Sequence, residues 1–228
     1  MEIGDRMKNY EHRFRYYLNR RTPTIIRIDG KAFHTFTRGL NKPYDYNLIQ
    51  QMQLTAQYLC ENIDGCILGY VQSDEISLLL IDYKKFGTQG WFDYNLQKIV
   101  SVSASMAAAF FNSRCVDSYD KLAVFDSRAF QIADPDEVGN YFRWRERDWN
   151  RNSVSMLAQS MFSHKELHGK NVSEMHEMCH ARGVNWASLP DVVKNGTWLL
   201  KENSWAPLCT QWDYMNWIRE KVEYSNYE

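Results

Sequence analysis

A chain of 228 residues, 44% hydrophobic and 24% charged, can bury a real core as one or two globular domains, which excludes a disordered or fibrous protein. No apolar run approaches the roughly 20 residues of a membrane helix, and the polar start MEIGDRMKNYEHRFRYY lacks the apolar core of a signal peptide, so a cytoplasmic address without membrane contact is expected. A formal net charge of −1 offers no whole-molecule field to a nucleic acid, so any such partner must meet local basic clusters.

Met7, Tyr10, Phe14, Tyr17 and Leu18 recur at helical spacing and predict a helix over residues 5–20, capped by Asp5. After Pro23 the run TIIRID at 24–29 predicts a strand, and Leu48, Met52, Thr55 and Leu59 predict a helix over 46–61. CILGYVQ and ISLLLID read as two strands joined by the tight turn SDE. Residues 93–112, rich in alanine and serine, predict a helix packed closely on a sheet, and residues 121–132 a further strand. This order is that of a ferredoxin-like, polymerase-palm α+β fold, an antiparallel sheet with helices on one face. It predicts a palm-like catalytic core over 1–132 and a mainly helical part over 133–228 packed on it. In the latter, DPDE at 134–137 opens a helical stretch to about residue 163, Ser173 and Gly183 bracket a shorter helix over 173–182, and residues 196–202 read as a late strand. Five cysteines at 60, 66, 115, 179 and 209 form no CxxC pair, which predicts free thiols.

Two strands carry acids where an apolar run should continue, Asp29 before Gly30 and Asp74 with Glu75. In a palm-like topology the end of the first strand lies beside the turn between the second and third, so Asp29 and Asp74 converge. Two carboxylates brought together repel unless a cation lies between them or one is protonated, and Mg²⁺ is the natural hard-oxygen occupant. Gly30, lacking a side chain, would let backbone approach an ion or phosphate. The alternative is that each motif is an ordinary turn.

RIDGKAFHTF, NKPYD and YVQSDEISLLL, in that order over residues 24–80, resemble the tRNA-His guanylyltransferase family and its guanylyltransferase-like relatives, the 3′-to-5′ nucleotide-adding polymerases. Weaker similarity continues through WFDYNLQKIVSVSAS, YFRWRERDWNRNS and GVNWASLPDVVKNGT. The resemblance implies a nucleotidyltransferase acting on tRNA with GTP, ATP and other nucleoside triphosphates, in which Asp29, the Gly30 carbonyl and Asp74 bind two Mg²⁺ ions. It also implies that the amides of Lys31, Ala32, Phe33 and His34 cradle a triphosphate with Ser73, that Lys42, Asp45 and Lys98 handle phosphates, and that the chain forms a homotetramer. Glu75 joins the catalytic acids by orienting the metal shell, or is a solvated turn residue. The segment DYNLQ before Lys98 departs from the family's arginine-rich approach. Asn150 stands where family members with a HINNLYN-like segment have histidine, which implies 5′-end repair of tRNAs more than strict tRNA-His guanylylation.

RWRERDWNR at 143–151 mixes arginines with tryptophans, as where a helix meets RNA, and makes Arg143, Arg145, Arg147, Asn150, Arg151 and Asn152 candidate contacts; the alternative is a solvated helix face. HEMCH at 176–180 matches the HExxH pattern of zinc hydrolases, with His164 and His168 as possible further ligands. A non-catalytic RNA-binding module on the same scaffold would present aromatics on its central strands, where Asp29 and Asp74 stand instead.

Overall fold

The computed structural model describes residues 1–85, 87–115, 119, 121–201 and 205–223. Helix α1 (Ile3–His12) buries none of its side chains, and it ends well before the expected residue 20. The chain turns extended there because residues 16–18 find backbone partners elsewhere: the Leu18 amide donates to the Tyr94 carbonyl at 3.0 Å and the Leu96 amide to the Tyr16 carbonyl at 2.9 Å. Strand β1 (Thr24–Gly30) follows, then a single turn, α2 (Phe33–Phe36), and α3 (Tyr46–Asn62). Strands β2 (Cys66–Gln72) and β3 (Glu75–Leu80) are buried along their whole lengths, which is why both read as nearly unbroken apolar runs.

Helix α4 (Leu96–Arg114) starts three residues later than predicted, because the Asn95 side chain accepts the Lys98 amide and caps it there. Strand β4 (Phe125–Gln131) is likewise shorter than expected. The helical stretch after Asp134, which caps it, is one continuous helix, α5 (Pro135–Met161), followed by α6 (His164–Leu167), α7 (Val172–Ala181) and α8 (Asp191–Asn195). Asn171, not Ser173, caps α7.

The late strand is β5 (Thr197–Leu200), and it pairs with β2, with β6 (Pro207–Leu208) beyond it; Glu202, the end of its predicted span, lies outside the described residues. One antiparallel sheet results, in the order β4-β1-β3-β2-β5-β6, with the ferredoxin-like four at one side. The division at residue 132 is therefore not a boundary of the sheet, since the carboxy-terminal half supplies two strands to it. That half also ends in a helix, α9 (Tyr214–Val222), which the sequence reading omitted.

Strand alternation sends neighbouring side chains to opposite faces. Ile26, Ile28, Val71, Ile76, Leu78 and Leu80 pack with α3 and α4, and Ile25, Leu68, Tyr70, Leu79 and Trp198 pack with α5 and α9. The sheet is thus covered on both sides, by the palm helices on one and the carboxy-terminal helices on the other.

Candidate active site

Alternation along β1 puts Ile25, Arg27 and Asp29 on the α5 face. Along β3, Glu75, Ser77 and Leu79 share it. The register pairs Asp29 with Glu75 and Arg27 with Ser77, and on the other side Asp29 with Asp126 and Arg27 with Arg128. Like charges directly opposite destabilise a sheet, and here neighbouring opposite charges compensate: diagonally across the strands Arg27 Nη2 lies 2.6 Å from Glu75, and along β4 itself Arg128 lies 3.1 Å from Asp126.

Asp74 sits in the turn between β2 and β3. Ser73 before it adopts φ 49°, the left-handed region, which costs a non-glycine residue about 1–2 kcal/mol. That conformation goes with a Ser73 hydroxyl donating to the Asp74 carboxylate at 2.9 Å. The Gly30 amide donates to the Asp74 carbonyl at 3.1 Å, tying the end of β1 to this turn. Asp29 and Asp74 thus converge, as the topology required, and both line a cavity of about 400 Å³ with Arg27, Gln72, Glu75 and Arg145.

Helix α5 forms the other wall through Trp149, Asn152, Ser155, Met156 and Gln159. It is pinned over the acids by the Tyr141 and Ser77 hydroxyls, 2.8 Å apart, and by Arg145, which grips both Glu75 oxygens at 2.7 Å. Farther along, the Tyr44 hydroxyl donates to the Ser153 carbonyl and the Trp186 indole to the Ser153 hydroxyl.

Burial, then the charge of Glu75, push Asp29 above the usual carboxylate range against the pull of Arg27. Burial raises Asp74 as well, more than its Ser73 hydrogen bond offsets, with Asp29 and Glu75 adding to the rise. Two acids that resist ionising side by side invite a cation. Arg27 stands 3.9 Å from Asp29, and Asp74 has no cationic partner among the described residues. No third His, Cys, Asp or Glu completes a protein-only metal cage among the described residues. Two carboxylates and a carbonyl fit Mg²⁺, which uses one or two carboxylates and leaves its remaining positions to water and substrate phosphates.

Gly30 has a reason other than approach to an ion: a Cβ there would lie 2.2 Å from the Phe33 ring. Phe33 in turn anchors the following loop among Phe36, Phe111 and Phe125. Ala32, at φ 53°, begins α2, and the amides of Ala32, Phe33 and His34 meet no acceptor among the described residues. The Lys31 amide does not join them, because it donates to the Val124 carbonyl at 2.8 Å. Asp45 is occupied as the cap of α3, accepting from Leu48 and Asn41. Lys42 is exposed and Lys98 lines a different cavity, of about 360 Å³, with Glu11, Arg15 and Asp93.

Glu75 is no solvated turn residue: it is 5% exposed and receives Arg27 and Arg145 together. Arg145 is equally buried, so it drops out of the exposed candidates for RNA contact. Arg143, Arg147 and Arg151 remain exposed one turn apart, and Asn152 is exposed at the cavity wall. The Asn150 amide donates to the Lys194 carbonyl, fastening α5 to α8. The HEMCH segment lies on α7 with His180 exposed and Cys179 buried, outside the residues that line the acid cavity. Sequence reading missed Arg27 and Gln72, although Arg27 stands two residues before Asp29 on β1 and Gln72 ends β2 directly opposite Glu75 across the turn.

The family model described as Thg1, tRNAHis guanylyltransferase, matches residues 4–133. A bacterial tRNA(His) guanylyltransferase (Thg1)-like protein in complex with ATP is 44% identical, with 97% of this chain and 100% of that chain covered and a TM-score of 0.91. A bacterial Thg1-like protein in complex with GTP is 40% identical over 97% and 99%, with a TM-score of 0.82. The tRNA(His) guanylyltransferase of Schizosaccharomyces pombe is 26% identical over 84% of this chain and 76% of its own. With more than half its length matched by the family model and a near-complete structural relative at 44% identity, the chain belongs to the tRNAHis guanylyltransferase (Thg1) family of nucleotidyltransferases.

Proposed function

We propose that this nucleotidyltransferase adds nucleotides in the 3′-to-5′ direction to the 5′ end of tRNA, with Mg²⁺. The observation that carries the reading is the convergence of Asp29 and Asp74, both raised by burial, with Arg27 no nearer to Asp29 than 3.9 Å and no cationic partner for Asp74 among the described residues, on a cavity of about 400 Å³ under α5. Asp29, Asp74 and the Gly30 carbonyl are the groups that would hold two Mg²⁺ ions, which when bound lower the pKa of a hydroxyl nucleophile and neutralise charge on a departing phosphate.

The amides of Ala32, Phe33 and His34, which meet no acceptor among the described residues, bind triphosphate oxygens of GTP or ATP, the nucleotides seen with the bacterial relatives, while the Ser73 hydroxyl holds the Asp74 carboxylate beside them. The exposed Arg143, Arg147 and Arg151 hold the RNA backbone. Held there, the RNA presents its activated 5′ phosphorus to the 3′ oxygen of the incoming nucleotide: that P–O bond forms, and the bond to pyrophosphate or AMP breaks.

Preference for 5′-end repair over strict tRNA-His guanylylation is supported by Asn150, whose amide is committed to Lys194 and cannot do what a histidine near the RNA end would do. Adding whichever nucleotide pairs with the opposite strand needs duplex shape and not side-chain reading of sequence. Assembly into a homotetramer is supported by α1, whose Ile3, Met7 and Tyr10 are exposed along one stripe that Phe14 continues. A cytoplasmic site of action is supported by five free cysteines; among the described residues no helix is long and apolar enough to cross a membrane.

The test is incubation with tRNA-His and with 5′-truncated tRNAs, each carrying a 5′-triphosphate or 5′-monophosphate. Template-matched addition to truncated tRNAs is expected, and failure to extend any 5′ end would refute the reading.

A further inference from the structure

Strand alternation forces Arg27 and Asp29 onto the same face two residues apart, so a guanidinium lies permanently within reach of an acid that must stay open. Arg27 Nη2 is 2.6 Å from Glu75 and 3.9 Å from Asp29. Its Nε, though buried, has no partner among the described residues, so what keeps the head group where it is comes from one carboxylate. That carboxylate is itself immobile. Arg145 binds both its oxygens at 2.7 Å, Gln72 donates to one of them at 3.2 Å, and Arg145 is braced from behind by Asp148 at 3.2 Å. Arginine and carboxylate pair strongly, in two parallel hydrogen bonds when free to do so, and such a pair would cover the oxygens of Asp29 that face the cavity.

We propose that Glu75 is a positioning residue whose task is to hold Arg27 off Asp29, keeping that carboxylate open for a divalent cation. Glu75 acts through Arg27 and touches no substrate. The inference rests on the reading of Asp29 as a cation ligand, and it makes a claim that a ligand role or a merely structural role for Glu75 does not: damage from losing Glu75 is repaired by also removing Arg27.

The test joins the structure of the metal-free Glu75→Gln protein to Mn²⁺ binding by the wild type, Glu75→Gln, Arg27→Gln and the double variant. In Glu75→Gln the Arg27 head group is expected on Asp29 at about 3 Å, with Mn²⁺ affinity lowered about tenfold or more, as for loss of other groups that orient ligands. Arg27→Gln is expected to bind Mn²⁺ at least as tightly as wild type, and the double variant to return within about threefold of it. An unmoved Arg27 in the Glu75→Gln structure overturns the proposal, and so does a double variant as weak as Glu75→Gln with an unchanged circular-dichroism spectrum. Should Glu75→Gln not fold, Arg27→Gln decides: lost Mn²⁺ binding there means that Arg27 supports Asp29, which is the opposite of the proposal. A wild type that takes up no Mn²⁺ sinks the metal reading itself, while the position of Arg27 in the Glu75→Gln structure still judges what Glu75 holds.

Discussion

The sheet face turned toward α3 and α4 carries Ile26, Ile28, Ile76, Leu78 and Leu80, all buried and apolar, whereas the same strands present Arg27, Asp29, Glu75 and Ser77 at one end of the face under α5. One face is dry along its length, while the other turns polar where the strands reach the turn at Ser73 and Asp74. The difference teaches where the molecule can tolerate charge. A two-residue period lets one strand bury isoleucines on one side and place acids on the other, so the core need not be interrupted to build the site.

Substituting on each face separates the two jobs. Asp74→Asn or Asp29→Asn is expected to lower 5′ addition by about a thousandfold or more, since loss of a metal clamp removes several kcal/mol of transition-state stabilisation. The metal-free melting temperature should hold or rise, because each substitution removes a charge that burial disfavours. Single-turnover assays and thermal melts on the same preparations check both halves. On the dry face, Leu78→Ala, at a fully buried position, is expected to cost about 3 kcal/mol of stability with little change in activity of the molecules that remain folded below the melting transition. Urea denaturation measures it.

A smaller effect concerns pH. Asp29 and Asp74 are both raised, so in the ordinary carboxylate range and just above it the metal-free folded protein binds more protons than the unfolded chain. Their contribution therefore falls as pH rises through that window. The stability of Asp29→Asn relative to wild type should accordingly grow with pH there in a series of melts without divalent cations, and a gap that shrinks would contradict the account. The smallest effect is expected away from both faces: His180→Ala, at an exposed position of α7, should leave addition unchanged and stability within about 0.5 kcal/mol.

The acid pair was legible because carboxylates interrupting strand patterns are conspicuous, and the order of strands and helices said that the two interruptions meet. The arginine hub on Glu75 was not, because Arg145 comes 70 residues later and no local pattern joins them. Arg27 could have been found from its spacing to Asp29. Helix α1 was overextended because Phe14 and Tyr17 keep a helical period that nothing buries, while backbone pairing with the segment before α4 claims that stretch. Helix α9 left a readable trace, Asp213 as cap with Tyr214, Ile218 and Val222 four apart, but the surrounding tryptophans and the short β6 broke the pattern. HEMCH drew attention as a motif and stands on a helix with no ligand cluster among the described residues; five residues with two free positions carry little without a partner in space.

The central claim, that Asp29 and Asp74 serve transfer by holding a hard divalent cation, is tested most directly by stripping the protein with EDTA and restoring single metals in a 5′-addition assay on a truncated, 5′-triphosphorylated tRNA. Addition should vanish on stripping and return with Mg²⁺ for the wild type, but not for Asp74→Asn. Addition that survives stripping, or that returns only with zinc, would contradict it.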